Sequence, residues 1–281
     1  MTARELPYEL IYWPGDPGRG EHVRLALEYA NIPYRDTALV KDGFKAVFAQ
    51  ISDDELGDAA NPPGYAPPML KHGDLFISQT PNILMYLGPQ LGLVPGIEED
   101  PRNLFRVNQL VLTALDGLSN EVHDCHHPIG TGLYYEEQKD ESIRRSTDWV
   151  YRRLPLFLGY FERVLRGEAS GEGPWLFKGK TSYADLVLYQ CINGTRHQFP
   201  KAIKAAQESG RFDRVFQLYD AVENLPKIKE YLASSRRQKY GPGIYRNYPE
   251  LDVFEGKFRN RVEDIQEMTK VYEMYKHLLP Q

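Results

Sequence analysis

The sequence predicts an α/β region followed by an all-helical region. Three observations carry this prediction. Residues 8–40 read as strand, helix, strand, the pattern of a parallel crossover unit. The stretch 90–101 (QLGLVPGIEEDP) is rich in Gly, Pro and acid and breaks that pattern. Beyond it strand signals fade and long helical periods take over, so strands come first and helices afterwards. A chain of 281 residues, 42% hydrophobic, has the length for one to two domains.

Each element has its own local reason. Residues 8–13 (YELIYW) are short and rich in aromatic and aliphatic side chains, which suits a strand. WPGDPGRG then breaks it, and Val23, Leu25, Ala26, Leu27 and Ala30 supply one broad helical face. Asn31 and Pro33 stop that helix, and 34–40 (YRDTALV) reads as a second strand. The spacing of Phe44, Val47, Phe48 and Ile51 predicts a short helix, followed by a loop through NPPGY. Residues 67–80 (PPMLKHGDLFISQT) read as two strands joined by a tight HGD turn. Thr80 is the expected N-cap of the next helix, with Pro81 at its first position. Further helices are expected at about 101–125, 136–166, 182–195, 212–222 and 225–235. Apolar residues from Phe254 through Phe258, Val262, Ile265, Met268, Tyr272 and Tyr275 to Leu279 recur every three or four positions, predicting an amphipathic helix of about seven turns. The expected division is 1–90, 101–245, and a C-terminal helical extension over 246–281.

Composition excludes several classes. Lys and Arg number 34 against 39 Asp and Glu, and the net charge of −5 argues against a nucleic-acid binder. No run approaches the roughly 18 apolar residues of a membrane span. MTARELPYELIYWPG has no basic segment followed by an apolar stretch, so no signal peptide is expected and the cytoplasm is the default. Cys125 and Cys191 are the only cysteines, which suits a reducing compartment better than a disulfide scaffold.

The motifs that carry chemistry come in a definite order. Tyr12 ends the first strand, and Arg19, Glu21 and Arg24 follow in the turn and helix. Pro68, Met69 and Leu70 open a later strand, and Gln79 and Thr80 open a helix. A helical S-x-x-D box stands at Ser182 to Asp185. Over residues 7–240 this order and spacing resembles the cytosolic glutathione transferases, in particular Tyr-type, sigma-like members. The resemblance implies a thioredoxin-like N-terminal domain, an all-α C-terminal domain, glutathione as co-substrate without a metal, and a homodimer. It implies a hydrophobic electrophile as second substrate, and conjugation or peroxide reduction as the reaction. Relatives of the same fold that carry hydrophobic ligands without turnover supply the alternative.

The catalytic step implied is thiol activation. A free thiol has a pKa near 8.5, so little of it is thiolate at neutral pH. A hydrogen bond donated to the sulfur favours the charged form. Lowering the pKa by roughly two units takes about 2.7 kcal/mol. The resemblance assigns the donor to Tyr12, and the following turn holds no Ser, Thr or Cys to replace it. Arg19 adds positive potential. The spacing from Tyr12 to Arg19 is one residue longer than in sigma-like members. Gln79 and Thr80 match the pair that holds the γ-glutamyl end, where a helix N-terminus offers free N–H groups to a carboxylate. The family's cis proline falls on Pro67 or Pro68. Counting back from Gln79 points to Pro68, which places Pro67, without an N–H, opposite the ligand.

Asp116 stands where some sigma-like members place an acid that reaches glutathione in the partner subunit, although an exposed helical Asp explains it equally. Lys41, Phe44 and Lys45 lie near the expected place of the residues for the glycyl carboxylate. Ser182 and Asp185 read as a capping box. His123, His126 and His127 share one helical face at metal-compatible spacing. Without a second ligand group in the sequence, the expected role is to cap the helix end or border the substrate pocket, together with Tyr134 and Tyr135.

Overall fold

The computed structural model describes residues 7–258 and 261–278. Its first part contains β1 (Tyr8–Ile11), α1 (Gly20–Tyr29), β2 (Tyr34–Asp36), α2 (Gly43–Ile51), β3 (Met69–His72), β4 (Leu75–Ser78) and α3 (Thr80–Gln90). The strands form one sheet in the order β2-β1-β3-β4. β1 and β2 are parallel, while β3 runs antiparallel to both β1 and β4. Alternation along β1 sends Leu10 and Ile11 to opposite faces. Leu10 packs with Val23, Leu27, Ile83 and Leu87, so α1 and α3 cover one face through pairs four residues apart. Ile11 packs with Val47 and Met69, so α2 covers the other.

The remainder is helical: α4 (Asn103–Leu115), α5 (Glu121–Asp124), α6 (Lys139–Asp148), α7 (Leu154–Arg166), α8 (Tyr183–Gln198), α9 (Pro200–Glu208), α10 (Asp213–Glu223), α11 (Pro226–Leu232) and α12 (Arg261–Tyr275). α8 is buried nearly all round and forms the axis of this part. Leu25 and Ala26 of α1 and Leu84 of α3 join the same core, so α1 serves two cores from two faces.

Several expectations need correction. The second strand ends at Asp36, where the Asp36 carboxylate accepts the Ala38 N–H and turns Thr37–Leu39 into a 3₁₀ turn. Gln79 rather than Thr80 occupies the N-cap of α3, and Thr80 is already helical. The helix expected at 101–125 contains a π turn at Asp116–Asn120. The helix expected at 136–166 contains another at Trp149–Arg153, just before Pro155, which has no N–H for the preceding ladder. α9 is additional. Its first-turn N–H groups at Lys201 and Ala202 are capped by the Asp252 carboxylate at 2.6 and 3.3 Å, a partner 51 and 50 residues away in sequence.

The C-terminal helix begins at Arg261, so Phe254 and Phe258 lie outside it. Phe254 stacks on Tyr151 at 5.5 Å, and Phe258 joins the helical core. Ile265, Val271, Tyr272 and Met274 of α12 are exposed. The side chains of Val262, Met268 and Tyr275, and all of Leu279, lie outside the described residues. Both cysteines are free and buried. Among the described residues no helix is long and apolar enough to cross a membrane.

Ser182 and Asp185 form the expected capping box. The fully buried Asp185 carboxylate accepts from Ser182 N and Ser182 Oγ, both at 2.7 Å, and from Leu176 N at 2.8 Å. Burial pushes its pKa up to about 6, against the pull of those donors. Asp185→Ala leaves buried donors unsatisfied and is expected to cost about 3 kcal/mol, read as a fall in the urea midpoint at unchanged slope; a loss under about 1 kcal/mol contradicts this account of the box.

Candidate functional site

Register brings the sequence motifs to one end of the sheet. Ile11 pairs with Met69, and Met69 pairs with Ser78. The next residue outward along each strand is therefore Tyr12, Pro68 and Gln79. Strands lie about 4.8 Å apart, so this row spans roughly 10 Å of backbone from the phenol-bearing residue to the start of α3. The Pro67–Pro68 bond is cis. Pro68 is buried and Pro67 is partly exposed, with only its carbonyl to offer a neighbour.

Tyr12 is clasped from both sides. Thr37 Oγ1 accepts the Tyr12 N–H at 3.1 Å and donates to the Tyr12 carbonyl at 3.3 Å. The ring runs under the β1–α1 turn and is 6% exposed. A Cβ on Gly18 would stand 2.1 Å from the phenolic oxygen, and one on Gly20 would stand 2.6 Å from the ring. Gly18 also has φ 45°, a conformation that glycine adopts without strain. These close approaches explain why the turn carries glycine at both positions. The Arg19 backbone N–H donates to Tyr12 Oη at 2.8 Å. Among the described residues nothing accepts the phenolic proton. Burial raises the pKa of Tyr12 and the Arg19 N–H opposes the rise, so at neutral pH this is a protonated phenol with its donor free.

The Arg19 side chain points elsewhere. Its Nη2 donates to Asn120 Oδ1 at 2.8 Å, at the end of the first π turn. Arg19 thus meets Tyr12 through its backbone. Asp116 opens the same π turn and is exposed.

At the start of α3, Gln79 is held at φ 71° and ψ 115°, an unusual conformation for a residue with a side chain. Its carbonyl accepts the Ile83 N–H at 2.9 Å, and its side chain is exposed. Thr80 is 3% exposed, and its hydroxyl is buried without a protein partner. A buried, unsatisfied hydroxyl at the positive end of an eleven-residue helix suits a carboxylate. Lys45 pairs with Asp42 at 3.3 Å. Phe44 and Phe48 stand 5.9 and 5.3 Å from the Trp13 ring.

Sequence reasoning missed a strap over this site. After α11 the chain folds back across the β1–α1 turn. Gln238 Oε1 accepts the Gly15 N–H at 2.6 Å, and the Gly241 N–H donates to Asp16 at 3.0 Å. Asp16 is 7% exposed, and burial pushes its carboxyl up against the pull of the Gly241, Gly18 and Gly243 N–H groups. Arg237 reaches the buried Glu21 at 2.6 Å, and Arg236 grips Glu28 with two bonds of 2.9 Å. The Gly241-Pro242-Gly243 run was the available signal, since it marks an irregular segment, but its partner at Asp16 lies 225 residues away. The His123, His126 and His127 rings cluster with centroids 4.8–5.1 Å apart, one helical turn beyond Asn120. Tyr135 packs against Tyr248 at 3.8 Å, and Tyr134 is exposed.

Known proteins resemble this chain in sequence and in fold. The sequence model of the glutathione S-transferase C-terminal domain matches residues 123–235. The chain is 27% identical over 233 residues to glutathione S-transferase P 1 of Xenopus laevis, covering 83% of this chain and 94% of that relative. It is 25% identical over 232 residues to mouse glutathione S-transferase Mu 3, covering 82% and 93%. Among solved structures, the Pi-class glutathione S-transferase of Onchocerca volvulus superposes with a TM-score of 0.57 at 22% identity, covering 80% of this chain and 92% of that one. Prostaglandin synthase D of Nilaparvata lugens gives a TM-score of 0.57 at 18% identity, covering 82% and 98%. The fold is the thioredoxin-like plus helical fold of the glutathione transferases. The sequence matches support assignment to the glutathione S-transferase superfamily, spread over more than one of its classes.

Asp16→Ala removes the acceptor that holds the strap. Limited proteolysis around residues 239–246 is expected to accelerate about fivefold or more through local opening, with helical content by circular dichroism unchanged. An unchanged cleavage rate contradicts the assignment of Asp16 as the anchor.

Proposed function

We propose that this chain is a glutathione transferase that keeps the sulfur of bound glutathione ionised with the Tyr12 phenol and delivers it to a hydrophobic electrophile. The observation that carries this reading is the phenolic proton left without an acceptor while the oxygen takes the Arg19 N–H. A phenol that already accepts a hydrogen bond is a stronger donor. In this reading the tripeptide lies along the row Tyr12, Pro68, Gln79. Its γ-glutamyl carboxylate meets Thr80 and the first N–H groups of α3, its cysteinyl part runs past Pro67 and Pro68, and its sulfur faces Tyr12. Arg19 contributes through its backbone N–H and the field of its guanidinium.

The reaction balances without any further group. The thiol proton leaves to solvent, the thiolate forms a C–S bond to the electrophilic carbon, and the displaced halide or conjugated electron pair accepts the charge. Residues 1–90 hold glutathione, 101–245 form the wall for the electrophile, and within the latter the strap from Arg236 to Gly241 ties the two together. The chain acts as a cytoplasmic homodimer in this reading. Exposed Phe105 and Leu112, seven residues apart on α4, supply an apolar face for a second copy. Asp116, exposed in the adjoining π turn, is then available to a partner's ligand.

The burial of Tyr12 favours a second reading, a glutathione-binding protein that carries hydrophobic compounds without turnover. Conjugation of a chlorinated nitroarene separates the two. Tyr12→Phe is expected to lower kcat at least tenfold while KM for glutathione moves less than about threefold, because the lost bond acts on the thiolate. Glutathione binding with no conjugation by the wild-type chain favours the carrier.

Thr80→Val keeps the shape of the side chain and removes the hydroxyl. Glutathione affinity by calorimetry is expected to fall about tenfold, since a charge-assisted bond is lost. Unchanged affinity contradicts the placing of the γ-glutamyl carboxylate.

A further inference from the structure

The end of α5 gathers three imidazoles. His123, His126 and His127 stand at spacings of three and four, so their side chains share one face of the turn. The Cys125 and His126 N–H groups bond back three residues, to the Val122 and His123 carbonyls, at 3.2 Å each. That tightening to a 3₁₀ pattern nearly eclipses positions 123 and 126 and draws their rings together. One ring nitrogen from each of the three lies within 4.8 Å of the others. His126 is fully buried, while His123 keeps 18% of its side chain exposed, which leaves the cluster open to solvent on one side.

Ring packing alone leaves part of this arrangement unexplained. His126 Nε2 is buried without a protein partner. Its Nδ1 lies 3.5 Å from Gln198 Nε2, too far to fix which nitrogen carries the proton. A buried ring nitrogen left unsatisfied costs free energy that a partner would recover. His127 is oriented from behind. Gln138 Nε2 lies 3.1 Å from His127 Nδ1 and donates to the Gly130 and Leu133 carbonyls. The same two carbonyls accept from the His127 ring. They hold the ring proton on Nδ1, so the Nε2 lone pair stays free, as in metal-bound histidines whose second nitrogen donates to a carbonyl.

Charge around the cluster is mixed. Burial lowers His123 to about 4 and His126 to about 2, and it lowers His127 as well, so no proton has to leave before a metal binds at neutral pH. The fields of Arg19 and Arg246 oppose a cation there. The Asp124 carboxylate favours one: it is half-exposed, lies 4.0 Å from His123 Nδ1 and 3.9 Å from Arg145, and accepts no hydrogen bond among the described residues. Glu121 is taken up by Arg153 at 2.5 Å and Arg145 at 3.5 Å. Affinity therefore has to come from coordination by neutral nitrogens and not from net charge. That selects a borderline transition metal over Ca²⁺ or Mg²⁺, which need oxygen ligands.

We infer that His123, His126 and His127 form a transition-metal site that takes Zn²⁺, with the fourth position open to solvent beside Asp124. Ligand nitrogens of a tetrahedral zinc site stand about 3.3 Å apart, from Zn–N distances of about 2.0–2.1 Å. Closing the cluster to that spacing takes ring rotation about χ2, a broad torsion in histidine. Bound there, the ion ties the end of α5 to the turn that Gln138 gathers. The inference does not depend on the proposed function, since neither glutathione nor turnover enters it.

The test titrates Zn²⁺ into the untagged full chain after chelator treatment, by calorimetry at neutral pH with glutathione and other thiols absent. One Zn²⁺ per chain is expected, with Kd at or below about 10 μM, while Mg²⁺ gives no heat. Zinc at about a hundredfold excess over Kd is expected to raise the melting temperature by roughly 4 °C or more. His123→Gln, at the partly exposed position, is expected to weaken binding at least tenfold with the zinc-free melt unchanged. His127→Gln is the second variant should His123→Gln fail to fold. His277→Gln, on an exposed histidine remote in sequence, is expected to bind as the wild type does. No binding by the wild-type chain at about 100 μM Zn²⁺ overturns the inference. So does wild-type affinity in both His123→Gln and His127→Gln, and so does an equal loss in His277→Gln, which would mark scattered surface chelation. Equally tight binding of Mg²⁺ overturns it in favour of an oxygen-ligand site.

Discussion

The bond from the Arg19 N–H to the Tyr12 hydroxyl fixes where the chain can do chemistry. Position 12 leaves the strand at the point where the backbone must turn into α1. The turn doubles back over the ring so closely that neither Gly18 nor Gly20 can carry a Cβ without something moving. The outcome is a phenol with one rotational position, its oxygen occupied and its proton free. Preorganisation of this kind matters more than the strength of a single bond. A shift of roughly two units in thiol pKa needs only about 2.7 kcal/mol, which one well-aimed charge-assisted bond and a nearby helix terminus can supply.

The turn is held from below and from above by buried charge. Arg24 is fully buried, and burial works against its charged form, but Glu21 and Asp36 more than offset it and raise its pKa. It bonds to Asp36 at 2.6 Å and to the Pro17 carbonyl at 3.0 Å, which ties the turn to β2. Arg237 of the strap completes the set by pairing with Glu21. Two cations and two carboxylates balance. Such a network contributes little net stability, yet removing one member is costly because it leaves a buried charge unpaired. Its value here lies in geometry: the strap, the turn and the second strand can move only together.

The sequence is most readable where structure is local. The hairpin of β3 and β4 follows from strand periodicity around a tight His72-Gly73-Asp74 turn, and the capping box at Ser182 and Asp185 is a four-residue signal. The motifs at Tyr12, Pro68 and Gln79 are likewise visible, because each adjoins a strand end. Their alignment in one row depends on register, which no single segment carries. What stays hidden is tertiary. α9 begins at a proline whose neighbours are capped by Asp252 from the far end of the chain. The π turn before Pro155 depends on how two helical segments share one axis. The strap has only Gly241-Pro242-Gly243 to announce it, and periodicity from Phe254 onward suggests a longer helix than the one that forms, because Phe254 and Phe258 are apolar for the sake of the body they pack on.

The central claim concerns one proton. Titration of glutathione bound to the wild-type chain, followed by thiolate ultraviolet absorbance, measures it directly. The account predicts that the bound thiol ionises roughly two units below the free one, at a pKa of about 6.5. A bound thiol no more acidic than glutathione in solution would contradict it.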